Sequence, residues 1–367
     1  MEKAEFRKNA ADMIYLTRCS LHNKTPDKSR VENMDIESLF EVCQKHILTV
    51  CVAYALESAG IHDHDFTQAK EKAIRKNILL DAERRKIFDC MENKHIWYMP
   101  LKGALIKDWY PKLGMRQMSD NDILFDGNFR AEVKDIMTDM GFECEHYGDG
   151  NVDEYFKKPV CNFEMHNELF VVTSTGRLHE YYKNVKKRLV RDTDKKYGYH
   201  FSDEDFYIYI TAHEYKHYKE GGTGIRSLAD TYILVKKFGN SLDRDYIDKE
   251  LNRLGIADYD KTNRKLAMKI FDGKKLTADE NKELDYYVMS GTYGNSDNFF
   301  RNKIESNFES SKIKYILRRI FPPMSLIQAW YPFFYRHKWL IPVLWICRPF
   351  FKIKNVIKEL KYLINRK

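Results

Sequence analysis

The apolar period of this chain changes twice, near residues 94 and 178, and that double switch leaves few architectures open. Before residue 94 the sequence reads as helix. DIESLFEVCQKHILTVCVAYALESAG carries apolar residues at helical spacing and closes on Gly60, and FTQAKEKAIRKNILLDAERRKIFDCMENK is one long amphipathic segment. From His95 the texture becomes short apolar and aromatic runs. IWYMPLKG predicts a buried strand that turns at Gly103 into the helix ALIKDWY; PKLGMRQMS predicts a loop, DNDILF a strand and NFRAEVKDIMTDMG a helix; FECEHY, DEYFKKP and CNFEMHNELF predict three further strands. Strands alternating with helices in this way indicate a small α/β unit. From 178 to 311 helical spacing returns, as in SDEDFYIYITAHEYKHYK. The expected order is an N-terminal helical region over 1–93, an α/β core over 94–177, a C-terminal helical domain over 178–311 and a basic, aromatic-rich tail over 312–367.

Charge follows the same divisions. The net +8 conceals a tail of +12 (thirteen Lys and Arg against Glu359 from Lys312 onward), so the preceding 311 residues carry −4. A slightly acidic body is a poor platform for long nucleic acid, which is held through many phosphate contacts. Seven scattered cysteines with no CxxC spacing suit buried thiols in a reducing compartment, and the charged N-terminus lacks an export signal. A cytoplasmic location is expected, with the tail able to hold the protein at the inner membrane face.

The residues that carry chemistry lie in the strand-rich segment. Asp120 and Asp122, two apart on one strand, project their carboxylates from the same face. Two acids side by side repel unless a cation lies between them, and hard cations such as Mg²⁺ take oxygen ligands and complete their shell with water and phosphate. In CNFEMHNEL, Glu164, His166 and Glu168 share a face, so Glu164 can close a three-carboxylate cluster if its strand lies beside the first. Gly103, ending a strand and opening a helix, offers backbone N–H groups to a phosphate.

This order of parts resembles the nucleotidyltransferases of the DNA polymerase β superfamily. It is most similar to one bacterial subgroup, the uncharacterised nucleotidyltransferase family, through Leu101-Lys102-Gly103-Ala104, Tyr110-Pro111 and the run Gly114-Met115-Arg116-Gln117-Met118-Ser119-Asp120-Asn121-Asp122-Ile123-Leu124, followed by MGFE and NFEMHNEL. The resemblance implies an α+β fold, with a polymerase-β-like core of small mixed sheet and helices flanked by N- and C-terminal helical regions. It further implies transfer of a nucleoside monophosphate from an NTP to a hydroxyl acceptor, with Mg²⁺ or Mn²⁺ held by Asp120, Asp122 and Glu164 and with Glu164 as general base. Lys102, Gly103, Arg116 and Ser119 would face the nucleotide phosphates, with His166 behind the carboxylates. Two positions depart from the superfamily pattern. Ala104 stands where a Ser is common, and Asn121 occupies a position that is usually apolar, where it requires a hydrogen-bond partner in the core.

HEYKH at 213–217 matches the zinc-protease pattern H-E-x-x-H, with His213 and His217 on one helix face and Glu214 as a would-be base. A catalytic zinc site needs a third protein ligand. The extended motif would place Gly at 220 and His at 223, where the chain has Glu220 and Thr223. The two histidines instead continue an apolar stripe through Phe206 and Ile210, and the related subgroup looks similar here, with Arg226 and Asp230 following at a spacing that lets them pair. In the tail, WLIPVLWIC is too short to span a bilayer, and KIKNVIKELKYLINRK places apolar residues on one face and lysines on the other, a pattern suited to an anionic membrane surface. The alternatives to an active transferase are a degenerate, membrane-associated interaction module and, behind it, a zinc peptidase. A small molecule or a protein hydroxyl is the expected acceptor.

Overall fold

The computed structural model describes residues 1–148, 150–295, 298, 302 and 321–348. The second amphipathic segment of the tail, KIKNVIKELKYLINRK, lies outside the described residues.

The first five helices are α1 (Lys3–Leu21), α2 (Lys28–Glu32), α3 (Ile36–His46), α4 (Thr49–Ser58) and α5 (His64–Asn93). Short polar side chains start three of them: Asp27, Asp35 and Asp63 each accept hydrogen bonds from free backbone N–H groups of the first turn. The strand-rich segment follows with β1 (Tyr98–Pro100), α6 (Gly103–Ile106), β2 (Asn121–Phe125), α7 (Arg130–Asp139), β3 (Glu143–His146), β4 (Val152–Lys157) and β5 (Cys161–His166). Its five strands form a mixed sheet in the order β1-β2-β5-β4-β3; β2 and β5 run parallel and the other neighbours antiparallel. The fold is α+β, as the sequence indicates.

Alternation along these strands separates two cores. Ile123 and Phe125 of β2, Phe163 and Met165 of β5 and Tyr98 of β1 point to one face, where they pack with Leu80, Ile87 and Met91 of α5 and Val133, Ile136 and Met137 of α7. Met99, Leu101 and Leu124 point to the opposite face and join the larger helical core. That core is completed by α8 (Val172–Tyr182), α9 (Asp203–Glu220), α10 (Ile225–Phe238), α11 (Arg244–Leu254), α12 (Ala257–Phe271) and α13 (Ala278–Ser290). Asp122 of β2 and Glu164 and His166 of β5 therefore face the helical body.

One feature interrupts the expected run of helices. Residues 189–201 form a two-stranded ladder, β6 (Leu189–Arg191) with β7 (Tyr199–Phe201), whose connection docks beside β1. Tyr98 donates its backbone N–H to Tyr197, and Glu92 accepts from the backbone of Lys196 and Tyr197. Strands of three residues are too short to show a period of two in sequence, so nothing local distinguishes them from loop. Residues 321–348 carry α14 (Met324–Trp330), α15 (Pro332–Arg336) and α16 (Ile341–Cys347). Among the described residues, no helix is long and apolar enough to cross a membrane.

Candidate active site

The site begins with a register. In the parallel pairing of β2 with β5, Asp122 stands opposite Glu164, and Leu124 opposite His166. One ligand atom from each of Asp122, Glu164 and His166 lies within 4.8 Å of the others. Lys102 Nζ donates to Asp122 Oδ1 at 2.8 Å, and His166 Nε2 meets the same oxygen at 2.9 Å. His166 Nε2 also lies 3.5 Å from Glu164 Oε2.

Asp120 sits one residue before the strand, half-buried at its mouth. It is not in the compact trio, but it is electrostatically close. Burial, then the negative charges of Asp122 and Glu164, push its carboxyl up to about 6. For Asp122, burial alone would raise the pKa; Lys102 and the His166 hydrogen bond reverse that and hold it well below the usual carboxylate range. Burial would likewise lower both His166 and Lys102, and their contacts with Asp122 raise both instead. The Asp122 carboxylate is thus met from within the chain by the Lys102 ammonium and by a hydrogen bond with His166.

Asn121, on the opposite face of β2, finds the partners that its burial demands. Arg84 Nη1 donates to its side-chain oxygen at 3.0 Å, and its amide donates to the Leu80 carbonyl at 3.1 Å. This clamps the strand that carries both aspartates to α5.

Gly103 opens α6, a helix of four residues. The reason for glycine is proximity: a Cβ there would stand 2.1 Å from Arg116 Nη1 and 3.0 Å from Met118 Sδ. Arg116 turns onto Asp230 of α10. Its Nε and Nη2 both donate to Asp230 at 2.9 Å, Tyr110 adds a third hydrogen bond at 2.8 Å, and all three side chains are buried. Asp230 is thereby saturated, so the expected Arg226–Asp230 pair does not form. Ser119 lies at the edge, with its hydroxyl 3.3 Å from that of Tyr293 and its carbonyl accepting from Lys76.

The α9 histidines lie near the same groups, with Lys102 and Asp122 acting electrostatically on both. Their Nε2 atoms lie 3.2 Å apart, so one ring N–H donates to the other ring. Burial and then nearby cations keep both neutral: His217 is held down to about 4, and His213 well below its ordinary value. Among the described residues neither joins a third metal-ligating side chain. Glu214, the would-be protease base, lies instead among Asp230, Arg226, Arg116 and Ser227. The zinc-peptidase arrangement is therefore not assembled here.

Two cations also lie near these groups: Lys216, inside the HEYKH motif but given no role there, and Arg226, expected only as a partner for Asp230. Lys216 acts electrostatically on both histidines, and Arg226 on Asp120 and His217. Neither makes an ion pair among the described residues; Arg226 has a single long hydrogen bond of 3.5 Å to the Gln117 carbonyl. Lys216 was discoverable in principle, because i and i+3 share a helix face and His213 marks that face.

As for an absent cation, the donors present fit one. Asp122 and Glu164 supply anionic oxygen from adjacent strands, Asp120 adds a third carboxylate beside them, and Glu164 keeps a third of its side chain exposed.

No curated protein matches the chain. A solved structure described as an antigenic nucleotidyltransferase-like protein from Paracoccidioides brasiliensis is similar at 12% identity and a TM-score of 0.33, over 57% of this chain and 97% of its own. A family model described as uncharacterised nucleotidyltransferase matches residues 32–271, which span α3 to α12 and every site residue named above except Tyr293. The chain belongs to the uncharacterised nucleotidyltransferase family.

Proposed function

We propose that this protein transfers a nucleoside monophosphate from an NTP to a hydroxyl acceptor, using Mg²⁺ or Mn²⁺, by the chemistry of polymerase-β-like enzymes. The observation that carries the reading is the β2–β5 register, which sets Asp122 against Glu164 with Asp120 at the strand mouth. When bound there, a divalent cation would screen the phosphates and favour the ionised acceptor. Asp120, Asp122 and Glu164 would hold it.

The remaining roles belong to the chain's own side chains. Glu164, with a third of its side chain exposed and His166 Nε2 3.5 Å away, accepts the proton of the acceptor hydroxyl. The acceptor oxygen then forms its bond to the α-phosphorus as the bond to pyrophosphate breaks. Negative charge grows on the departing pyrophosphate, and Lys216 and Arg226, which make no ion pair among the described residues, are suited to receive it. They take over the task expected of Arg116 and the Gly103 turn. Lys102 compensates the carboxylates until substrate arrives. A small molecule or a protein side chain suits the acidic body better than long nucleic acid as acceptor.

Incubation of purified protein with each α-³²P-labelled NTP, Mg²⁺ and cell extract tests the reading. Label should appear in an acceptor, and Asp122→Ala or Asp120→Ala should abolish transfer. Undiminished transfer by both variants would overturn it. Lys216→Ala and Arg226→Ala should raise KM for NTP more than they lower binding of the corresponding NMP.

A further inference from the structure

The segment 321–348 is apolar on two sides. Ile341 and Leu344 of α16 turn inward against Ile327 of α14, forming a small core separate from the two described above. The opposite side of the same segment is also apolar. Trp339, Val343 and Ile346 follow one another at spacings of four and three, one stripe of a helix, and are 77%, 47% and 70% exposed; Phe333 of α15 is 58% exposed. A helix that already buries one apolar face and presents a second to solvent is missing a partner for the second.

Charge identifies the partner. Residues 310–358 contain no Asp or Glu but ten Lys and Arg. Arg336 and Lys338, both exposed, stand immediately beside Phe333 and Trp339. An apolar stripe that includes a Trp, edged by cations with no acid among them, is complementary to a surface that is apolar below and anionic above. A second protein copy would set these cations against themselves. At seven residues, α16 can lie in a bilayer interface and cannot cross it.

We propose that Phe333, Trp339, Val343 and Ile346 form a docking face for an anionic lipid bilayer, with Arg336 and Lys338 at the headgroup level. The face is remote in sequence from the carboxylate site and its argument does not depend on the proposed chemistry. Docked, the protein would act on acceptors presented at a membrane surface.

The test is co-sedimentation of the full chain with vesicles of phosphatidylcholine alone or with 30% phosphatidylglycerol, a composition of roughly the anionic character that polybasic segments sense. The full chain should bind the phosphatidylglycerol vesicles, at least tenfold less to phosphatidylcholine alone, and less again at high salt. The double substitution Trp339→Glu with Ile346→Glu should reduce binding at least tenfold, and Arg336→Ala with Lys338→Ala should reduce it and weaken its salt dependence. These side chains are exposed, so the inner Ile327–Ile341–Leu344 contacts survive, which unchanged far-UV circular dichroism would verify. Absence of vesicle binding, equal binding by the Trp339–Ile346 double variant, or a concentration-dependent dimer dissolved by that variant would each overturn the proposal.

Discussion

Asp122 is recognisable as a metal-ligand candidate from two letters of spacing, whereas its neighbour Asn121 announces only a problem: a buried amide with no partner in view. The structure supplies both partners, Arg84 and the Leu80 carbonyl, from a helix some forty residues earlier. The aspartates are thus positioned from the face opposite to the chemistry. Replacing Asn121 with Val leaves the Leu80 carbonyl its place in the α5 ladder but takes away the acceptor of the part-buried Arg84 Nη1, at about 1–3 kcal/mol for that group alone. Chemical denaturation should show a loss of that size, with metal affinity falling in the same variant as β2 loosens. Glu214 gives a second prediction at this scale. Burial and Asp230 push its carboxyl up to about 7, against about 4.3 in an unfolded chain. Between those pH values the native state binds more protons than the unfolded state, so this residue's contribution to stability is full below about 4.3 and is lost as pH rises through 7. Glu214→Gln should therefore gain on the parent protein as pH is raised from about 5 to 8, read as the difference in denaturation midpoints; a constant difference across that range would refute the assignment.

At the scale of elements, the turn from β1 into α6 is where the site stores strain. Lys102 adopts φ 45° and ψ −115°, a conformation that side chains other than glycine avoid, and the turn is pressed against Arg116 at Gly103. The backbone distortion brings the Lys102 ammonium onto Asp122 from the strand that neighbours β2. Removing the side chain in two ways separates the two contributions. Lys102→Ala and Lys102→Gly both leave Asp122 without its cation, but only glycine relaxes the dihedral angle. The glycine variant should be the more stable by about 1–3 kcal/mol in thermal or denaturant unfolding, although both lose transferase activity. The sequence displayed this turn as strand, glycine and helix, and those elements are present. What it could not display is the reason for the glycine. A phosphate cradle and a packed guanidinium both demand a missing Cβ, and only three-dimensional proximity distinguishes them. The ladder of β6 and β7 was illegible for a different reason, since three-residue strands hold no period to detect and owe their position to contacts with Glu92 and β1.

At the scale of the whole molecule, the sheet and the helical body meet around a buried ion pair. Local spacing offers Arg226 as the partner of Asp230, four residues away on the same helix. The observed partner, Arg116, is 114 residues away and reaches Asp230 with two parallel hydrogen bonds, while Tyr110 fills a further site on the carboxylate. A long-range contact of this kind wins because Asp230 points into the core, where an i, i+4 partner bound to the helix surface cannot follow it. The consequence reaches the site twice: Arg226 makes no ion pair among the described residues and reaches the Gln117 carbonyl instead, and Arg116 braces the Gly103 turn from behind. Arg116→Met should therefore destabilise the fold by about 3–5 kcal/mol, because it abandons a buried carboxylate. Adding Asp230→Asn should restore a substantial part of that loss, since two neutral groups of similar shape no longer pay for an unpaired charge. Amide hydrogen exchange discriminates this joining role from ordinary core packing: in Arg116→Met, protection should fall together in residues 101–106 and at the start of α10, two segments far apart in sequence. Loss confined to the loop around residue 116 would mean that the pair merely fills space, and that the sheet and the helices are held together by their apolar contacts alone.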